Sequence, residues 1–435
     1  MTFVFMTDLN NTEQEANIVE IEQSSVKSMT MPFTEPIKVI QTSTDSQPAP
    51  NIAIDDSGKM LVIYPSTENG ITNLYIKSSM DNGKSFLTPV RVNSIDGNVV
   101  LDGRVAPAIS FGKDGQVYAL WANSTPEPNL FMGVYRTLVF TQSMDGGKSF
   151  LPSIEIAANE LPSGKFFQNM AVSGDGNIHV AWLDSPVKNN GTGYLVSDSS
   201  RPSTVRYSQS MDGGKSFMPT KALDENPCPC CNVQLATDAE SNVYVSWRGV
   251  FGEGETQIRD MVVASSSNSG KIFSSPVKIH EDNFNFNGCV HVGAPMDVDS
   301  KGNLHVVWYT GSESSPGIYY ATSSDHGQTF SQPVPILTSD WVPPLRVYLT
   351  IDDNDTTWIT WEDATGLSIN DKVWRYSETE AMIFAAKITS DGKIIKFDKS
   401  VSVDGAKSPA IASGNNVVSI VWTGIDNSVQ LATIP

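Results

Sequence analysis

Cysteine is scarce in this 435-residue chain, four residues in all, and histidine nearly as scarce with five. So few cysteines exclude a small scaffold held together by many disulfides. Positive charge is also short: 29 lysines and arginines stand against 48 acidic residues, a formal net charge of −19. That balance argues against nucleic acid and anionic membrane as partners. No stretch approaches the roughly 20 apolar residues of a membrane span. No helical period of useful length appears, and there is no phosphate-binding loop, dinucleotide fingerprint, HExxH or GxSxG.

What is present is repetition. The octet Ser79-Met80-Asp81-Asn82-Gly83-Lys84-Ser85-Phe86 returns at 143–150, 210–217, 266–273 and 323–330, at intervals of 56 to 67 residues. Recurrence at such a period marks a repeat architecture. Asp81, Asp145, Asp212 and Asp325 are short acceptors for backbone N–H groups just ahead of them, and the following glycine supplies the positive φ of a tight turn. Asn268 in the fourth copy keeps the acceptor and loses the charge. The closing phenylalanine is a hydrophobic pin.

A second series counts the blades. Alternating strands end in Tyr64, Trp121, Trp182, Trp247, Trp308, Trp361 and Trp422, each after a turn rich in Asp, Gly, Asn or Ser. These aromatics are read as core packing, as are His179 and His305 within the same strands. After Ser408 there is no octet and no fourth strand, while Glu35-Pro36-Ile37-Lys38-Val39-Ile40 matches the outer strands elsewhere. The sequence therefore predicts an all-β fold, a single β-propeller of seven four-stranded blades closed by the N-terminal strand. Six blades is the alternative, because the sixth repeat carries only the worn Thr389-Ser390-Asp391-Gly392. Residues 1–33, polar and acidic after a short apolar start, are read as a disordered leader or linker, and 34–435 as the propeller.

The octets resemble the Asp-box, or BNR repeat, of sialidases and related β-propellers, and they do so over nearly the whole chain. The resemblance implies the fold more than the activity, since the box staples turns in enzymes and non-enzymes alike. It points to a secreted, cell-surface or periplasmic protein, although no signal peptide is evident in the sequence. A sialidase would need three arginines around a substrate carboxylate, a tyrosine nucleophile polarised by a glutamate, and an aspartate as acid and base. The nearest match to the family's first-arginine motif is Gly103-Arg104-Val105-Ala106-Pro107, one residue too long and in the second blade. The remaining stand-ins are Arg259, Asp260, Arg346, Tyr348 and Glu362, with Asp363 beside the last; for Arg259-Asp260 the bland reading is a local ion pair.

The cysteines are the chemical oddity. Three lie in Cys228-Pro229-Cys230-Cys231 and the fourth is Cys289, with His291 two residues on. Alignment of the inner strands puts Arg104, Lys165, Cys230 and His291 at one equivalent position, where each blade enters the central channel. Three readings stay open: two disulfides, a copper or zinc site formed by Cys228, Cys230, Cys231, Cys289 and His291, and a reactive thiol. Trp341, beside Pro343-Pro344, is a surface stacking candidate. These features lead to a monomeric protein that binds a glycan or protein ligand at a channel mouth built by blades 2, 4, 5 and 6. An exo-sialidase-like glycoside hydrolase is the first alternative and a copper- or zinc-binding propeller the second.

Overall fold

A computed structural model describes residues 32–434 except 43–47, 102, 131–132, 287, 289, 344–345 and 364–380. Most of the expected leader, and Cys289, lie outside the described residues. The rest forms seven antiparallel sheets, each built of four strands in succession, with a short fifth strand attached to the third sheet. The count is seven, so the six-bladed alternative is set aside. No α-helix occurs among the described residues, and none of their helices is long and apolar enough to cross a membrane.

Closure follows the expected route. The seventh sheet takes its outer strand, Ile37–Ile40, from the N-terminal side, antiparallel to Val429–Ile434, with Ile37 opposite Leu431 and Lys38 opposite Gln430. The Thr34 amide donates to the Thr433 carbonyl at 2.9 Å, and the Phe33 ring packs edge-on against Trp358 of blade 6, 6.0 Å between centroids.

Apolar clusters fill the interfaces between neighbouring blades. Trp121, Trp182, Trp247, Trp308 and Trp422 are the largest side chains almost wholly buried there, with Tyr64 and Trp361 in the same slot of their blades. Buried indoles need an acceptor. Trp121 donates to Asn123, Trp182 to Asp184 and Trp361 to Asp363, each two residues on along its strand. Asp363 is thereby bonded to the core. Trp341 is buried as well, 8 % exposed, which corrects the expectation of a surface platform.

The octets are turns stapled from inside. In the first, Ser79 Oγ donates to Asp81 Oδ1 at 2.8 Å and accepts from the Gly83 amide at 2.9 Å; Asp81 also accepts from the Ser85 amide at 2.9 Å and the Ser85 hydroxyl at 2.6 Å. Asp145, Asp212 and Asp325 repeat the pattern. Asn268 keeps the amide contact, from Ile272 at 2.8 Å.

These bonds to the charged form hold the Asp81, Asp212 and Asp325 carboxyls down at about 2. His179 is shifted down for a different reason: burial lowers it to about 4, its ring held between Tyr207 Oη at 2.6 Å and Ser173 Oγ at 2.8 Å. Both shifts are depressions, so the stability that each supplies is complete above the unfolded value and is lost as pH falls toward the folded one. For His179 the window is about pH 6.5 to 4; for the octet aspartates it is about pH 4 to 2. Urea unfolding at a series of pH values should therefore show His179→Phe gaining on the wild type as pH falls through the upper window. Asp212→Asn should gain on it only in the lower window.

Candidate functional site at the channel mouth

Successive strands of a blade run in opposite directions, so its first and third connections share one face of the ring, and its second connection shares the other with the entry to the next blade. On the octet face the connections are tight: Asp55 closes one by accepting the Ser57 and Lys59 amides, each at 2.9 Å. The octets meet these turns, as where Ser269 Oγ donates to Asp175 at 2.7 Å. The inner strands open there onto a cavity of about 660 Å³, whose lining includes Asp55, Asp56, Asp238 and Lys113.

The entry face carries the longer excursions. Blade 3 extends Ile178–Asn189 outward to pair with Leu195–Ser197, and in blade 4 Phe251 and Ile258 bridge across a loop. Long loops on a rigid ring are where ligand contacts concentrate.

At this face the segment Gly103-Arg104 crosses toward the ring axis. The Arg104 carbonyl accepts from Asn232 Nδ2 of blade 4 at 3.1 Å, its Nη1 lies 3.5 Å from His291 Nε2 of blade 5, and the Gly103 carbonyl accepts from Ser408 Oγ of blade 7 at 2.8 Å. Three of the four residues that the alignment placed together are thus joined, because His291 Nδ1 donates to the Cys230 carbonyl at 2.9 Å. Lys165 is buried apart from them, 3.9 Å from Glu155. The backbone is left-handed at Phe167 (φ 56°), His291 (φ 58°) and Ser408 (φ 54°). Non-glycine residues in that region cost of order 1–3 kcal/mol each and gather at functional sites.

Arg346 reaches the same cluster from blade 6. Its Nη1 donates to Glu362 Oε2 at 2.9 Å and to Ser408 Oγ at 3.2 Å, while that carboxylate oxygen also accepts the Ser408 amide at 2.9 Å. Glu362 is almost wholly buried and bound on both counts. Tyr348 follows on the inner strand, but its partly buried ring packs against the apolar cluster between blades 6 and 7, and desolvation raises its hydroxyl above the ordinary value.

Arg259 and Asp260 belong to another part of the face, and the expected local ion pair between them is corrected. Asp260, fully buried, pairs with Lys278 at 3.1 Å and accepts the Phe284 amide at 3.1 Å. Arg259 Nη1 turns to the Gly288 carbonyl and to Cys228 Sγ, 3.5 Å away.

The cysteine cluster is buried beneath this. Cys228 and Cys231 are free and Cys230 is disulfide-bonded, which overturns the reading of two disulfides. Cys228 Sγ lies 3.4 Å from Cys231 Sγ and 3.8 Å from Cys230 Sγ. The hydrogen bond from Cys231 lowers the Cys228 thiol to about 6, helped by Arg248 and Arg259, while burial pushes Cys231 up. Arg248 was missed at the sequence level. It sits inside a strand that reads as core, and only its place directly after Trp247 marked it as a charge where an apolar side chain belongs. Asn232 and Ser408 were missed too, since nothing in a single polar residue announces a contact across the ring.

No family model and no curated protein matches the chain. Among solved structures, an ulvan lyase described as a new family of polysaccharide lyase is similar over 93 % of this chain and 95 % of its own, at 12 % identity and a TM-score of 0.54. A protein of unknown function from Dyadobacter fermentans is similar over 92 % and 98 %, at 14 % identity and 0.50. A leech intramolecular trans-sialidase superposes more loosely, over 92 % and 69 %, at 12 % and 0.45. At these identities the likeness places the chain among propellers whose solved members include glycan-acting enzymes, and it shows the fold alone.

The Arg346–Glu362 pair, its carboxylate buried and its guanidinium 22 % exposed, gives a direct test of the mouth as a connected unit. Removing the carboxylate leaves a partly solvated charge uncompensated, at a cost of about 1–3 kcal/mol. Glu362→Gln should lower the unfolding free energy by that order in urea titration, and Glu362→Gln with Arg346→Met should recover part of it.

Proposed function

We propose that the protein is an extracytoplasmic, monomeric propeller of the Asp-box class that binds an acidic glycan at the entry-face mouth. The observation that carries this reading is the convergence of Arg104, His291 and Arg346, from blades 2, 5 and 6, on one polar cluster at the ring axis, in a chain whose net charge is strongly negative. A guanidinium at the axis of a strongly acidic chain favours an anionic ligand, and the planar arginine fork suits carboxylate or sulfate. An ulvan lyase of similar fold has been solved bound to -[GlcA(1-4)Rha3S]-. The support for this chain comes from its own residues.

Binding is favoured over glycoside hydrolysis by the state of the would-be catalytic groups. A tyrosine nucleophile must ionise readily, whereas burial holds the Tyr348 hydroxyl up. Glu362 is committed to Arg346 and the Ser408 amide, and Arg259 and Asp260 face the cysteines and Lys278. A copper or zinc role for the cysteine cluster is a second reading, favoured by three sulfurs within 4.8 Å of one another.

Calorimetric titration with a uronate oligosaccharide, its sulfated form and a neutral oligosaccharide of the same length tests the first reading. The acidic ligands should bind, should weaken as salt is raised, and should lose about tenfold in affinity in Arg104→Gln, the value of one charge-assisted hydrogen bond. Equal affinity for the neutral ligand, or an unchanged Arg104→Gln, would sink the proposal. Release of sialic acid from a sialoside, abolished by Tyr348→Phe, would replace it with the hydrolase.

A further inference from the structure

Two free thiols lie 3.4 Å apart in the interior, and two buried arginines lie against them. Arg248 is 1 % exposed. Its Nη1 and Nη2 donate to the carbonyls of Arg259 and Tyr309, at 2.8 and 3.0 Å, and its plane lies over the Phe284 ring, 5.3 Å to the centroid. The Nη2 of Arg259 donates to Gln257 at 3.2 Å. Neither guanidinium has a carboxylate among its hydrogen-bond or ion-pair partners, and the Nε of each is buried without a partner. The nearby carboxylate, Asp260, is taken up by Lys278.

A buried charge costs several kcal/mol unless an opposite charge is brought to it. Arg259 Nη1 is 3.5 Å from Cys228 Sγ, and Arg248 is tied to the same cluster through its carbonyl, which accepts the Cys228 amide at 2.9 Å. Two neutral thiols, or a disulfide between them, would leave both guanidiniums without a counter-charge, whereas a thiolate that accepts the neighbouring thiol's hydrogen supplies one negative charge. Two bare thiolates at this separation would repel each other strongly. A soft monovalent cation in place of the shared proton keeps that single negative charge beside the guanidiniums and binds both sulfurs at once.

We propose that Cys228 and Cys231 together bind one copper(I) ion as a two-thiolate complex whose negative charge is held by Arg248 and Arg259. Binding takes up one metal ion and releases whatever protons the two sulfurs carry, with no change of oxidation state. The proposal rests on the second reading above, is independent of the glycan reading, and narrows both metal and ligands. Soft thiolates select copper(I) or zinc. Zinc would neutralise the two thiolates entirely, leaving both arginines uncompensated, and it needs four ligands where this pair offers two. Cys230 is tied up in its disulfide, and His291 is turned to the Cys230 carbonyl and Arg104, so neither belongs to the ligand set.

The experiment uses the full chain, purified without chelator or reductant and titrated anaerobically with copper(I) alone against a chromophoric competitor. Bound metal is read by elemental analysis and thiols by alkylation and peptide mapping. One copper per chain, with Cys228 and Cys231 protected from alkylation and Cys230 unchanged, is the expected result. Cys228→Ser and Cys231→Ser should each abolish retention, and a cooperative thermal melt establishes that they fold. Arg259→Gln keeps every sulfur and should weaken copper(I) about tenfold through the lost charge. Zinc bound in stoichiometric amount in preference to copper would overturn this proposal and leave the metal reading standing. No retained metal, or a Cys228–Cys231 disulfide in the isolated protein, would overturn both. An unchanged copper affinity in Arg259→Gln would overturn the assignment of the arginines.

Discussion

A ring of blades has no hub: each sheet packs only on its neighbours, so the circle holds its shape only if the last sheet is locked to the first. Here that lock is the pairing of Ile37–Ile40 with Val429–Ile434, with Lys38 reaching Asp426 at 2.7 Å. Backbone hydrogen bonds close the edge that a seventh blade would otherwise leave open. Phe33, packed on Trp358, extends the lock to the sixth blade. Everything at the channel mouth depends on this closure. Arg104 belongs to blade 2, yet its segment is held by side chains of blades 4, 5 and 7, which an open arc of sheets would carry apart.

Charged groups are used differently on the two faces. Acidic residues are spent where their hydrogen bonds are local and solvent is near, as in the octets, whose aspartates accept from residues four further along. Cations are instead drawn inward: Lys165, Arg248 and Arg259 are buried on the entry side. They lie among the buried carboxylates Asp260 and Glu362, where low-dielectric surroundings strengthen each interaction.

The fold was legible because its signals are local and repeated. Seven turn-plus-aromatic strands gave seven blades, and the unmatched Glu35–Ile40 segment found its place in the blade that lacked an outer strand. The site was legible only in part. Register placed Arg104, Cys230 and His291 at one mouth, and they are joined there. Register says where a strand begins, and nothing about where a long side chain ends: Arg259 and Asp260, adjacent in sequence, part to Cys228 and to Lys278. Trp341 misled for a related reason, since a flanking pair of prolines reads as surface while the segment folds back into the interior.

The mouth and the cysteine cluster are joined by a short chain of contacts. The Cys230 carbonyl holds His291 Nδ1, which fixes the ring so that Nε2 is presented to Arg104. Cys230 Sγ lies 3.8 Å from Cys228 Sγ, so the sulfurs and the carbonyl that orients His291 belong to one packed segment. The left-handed φ of His291 makes this backbone position strained, and a strained position persists only while its surroundings over-determine it. The cysteine cluster is thus part of the frame that sets the direction of Arg104.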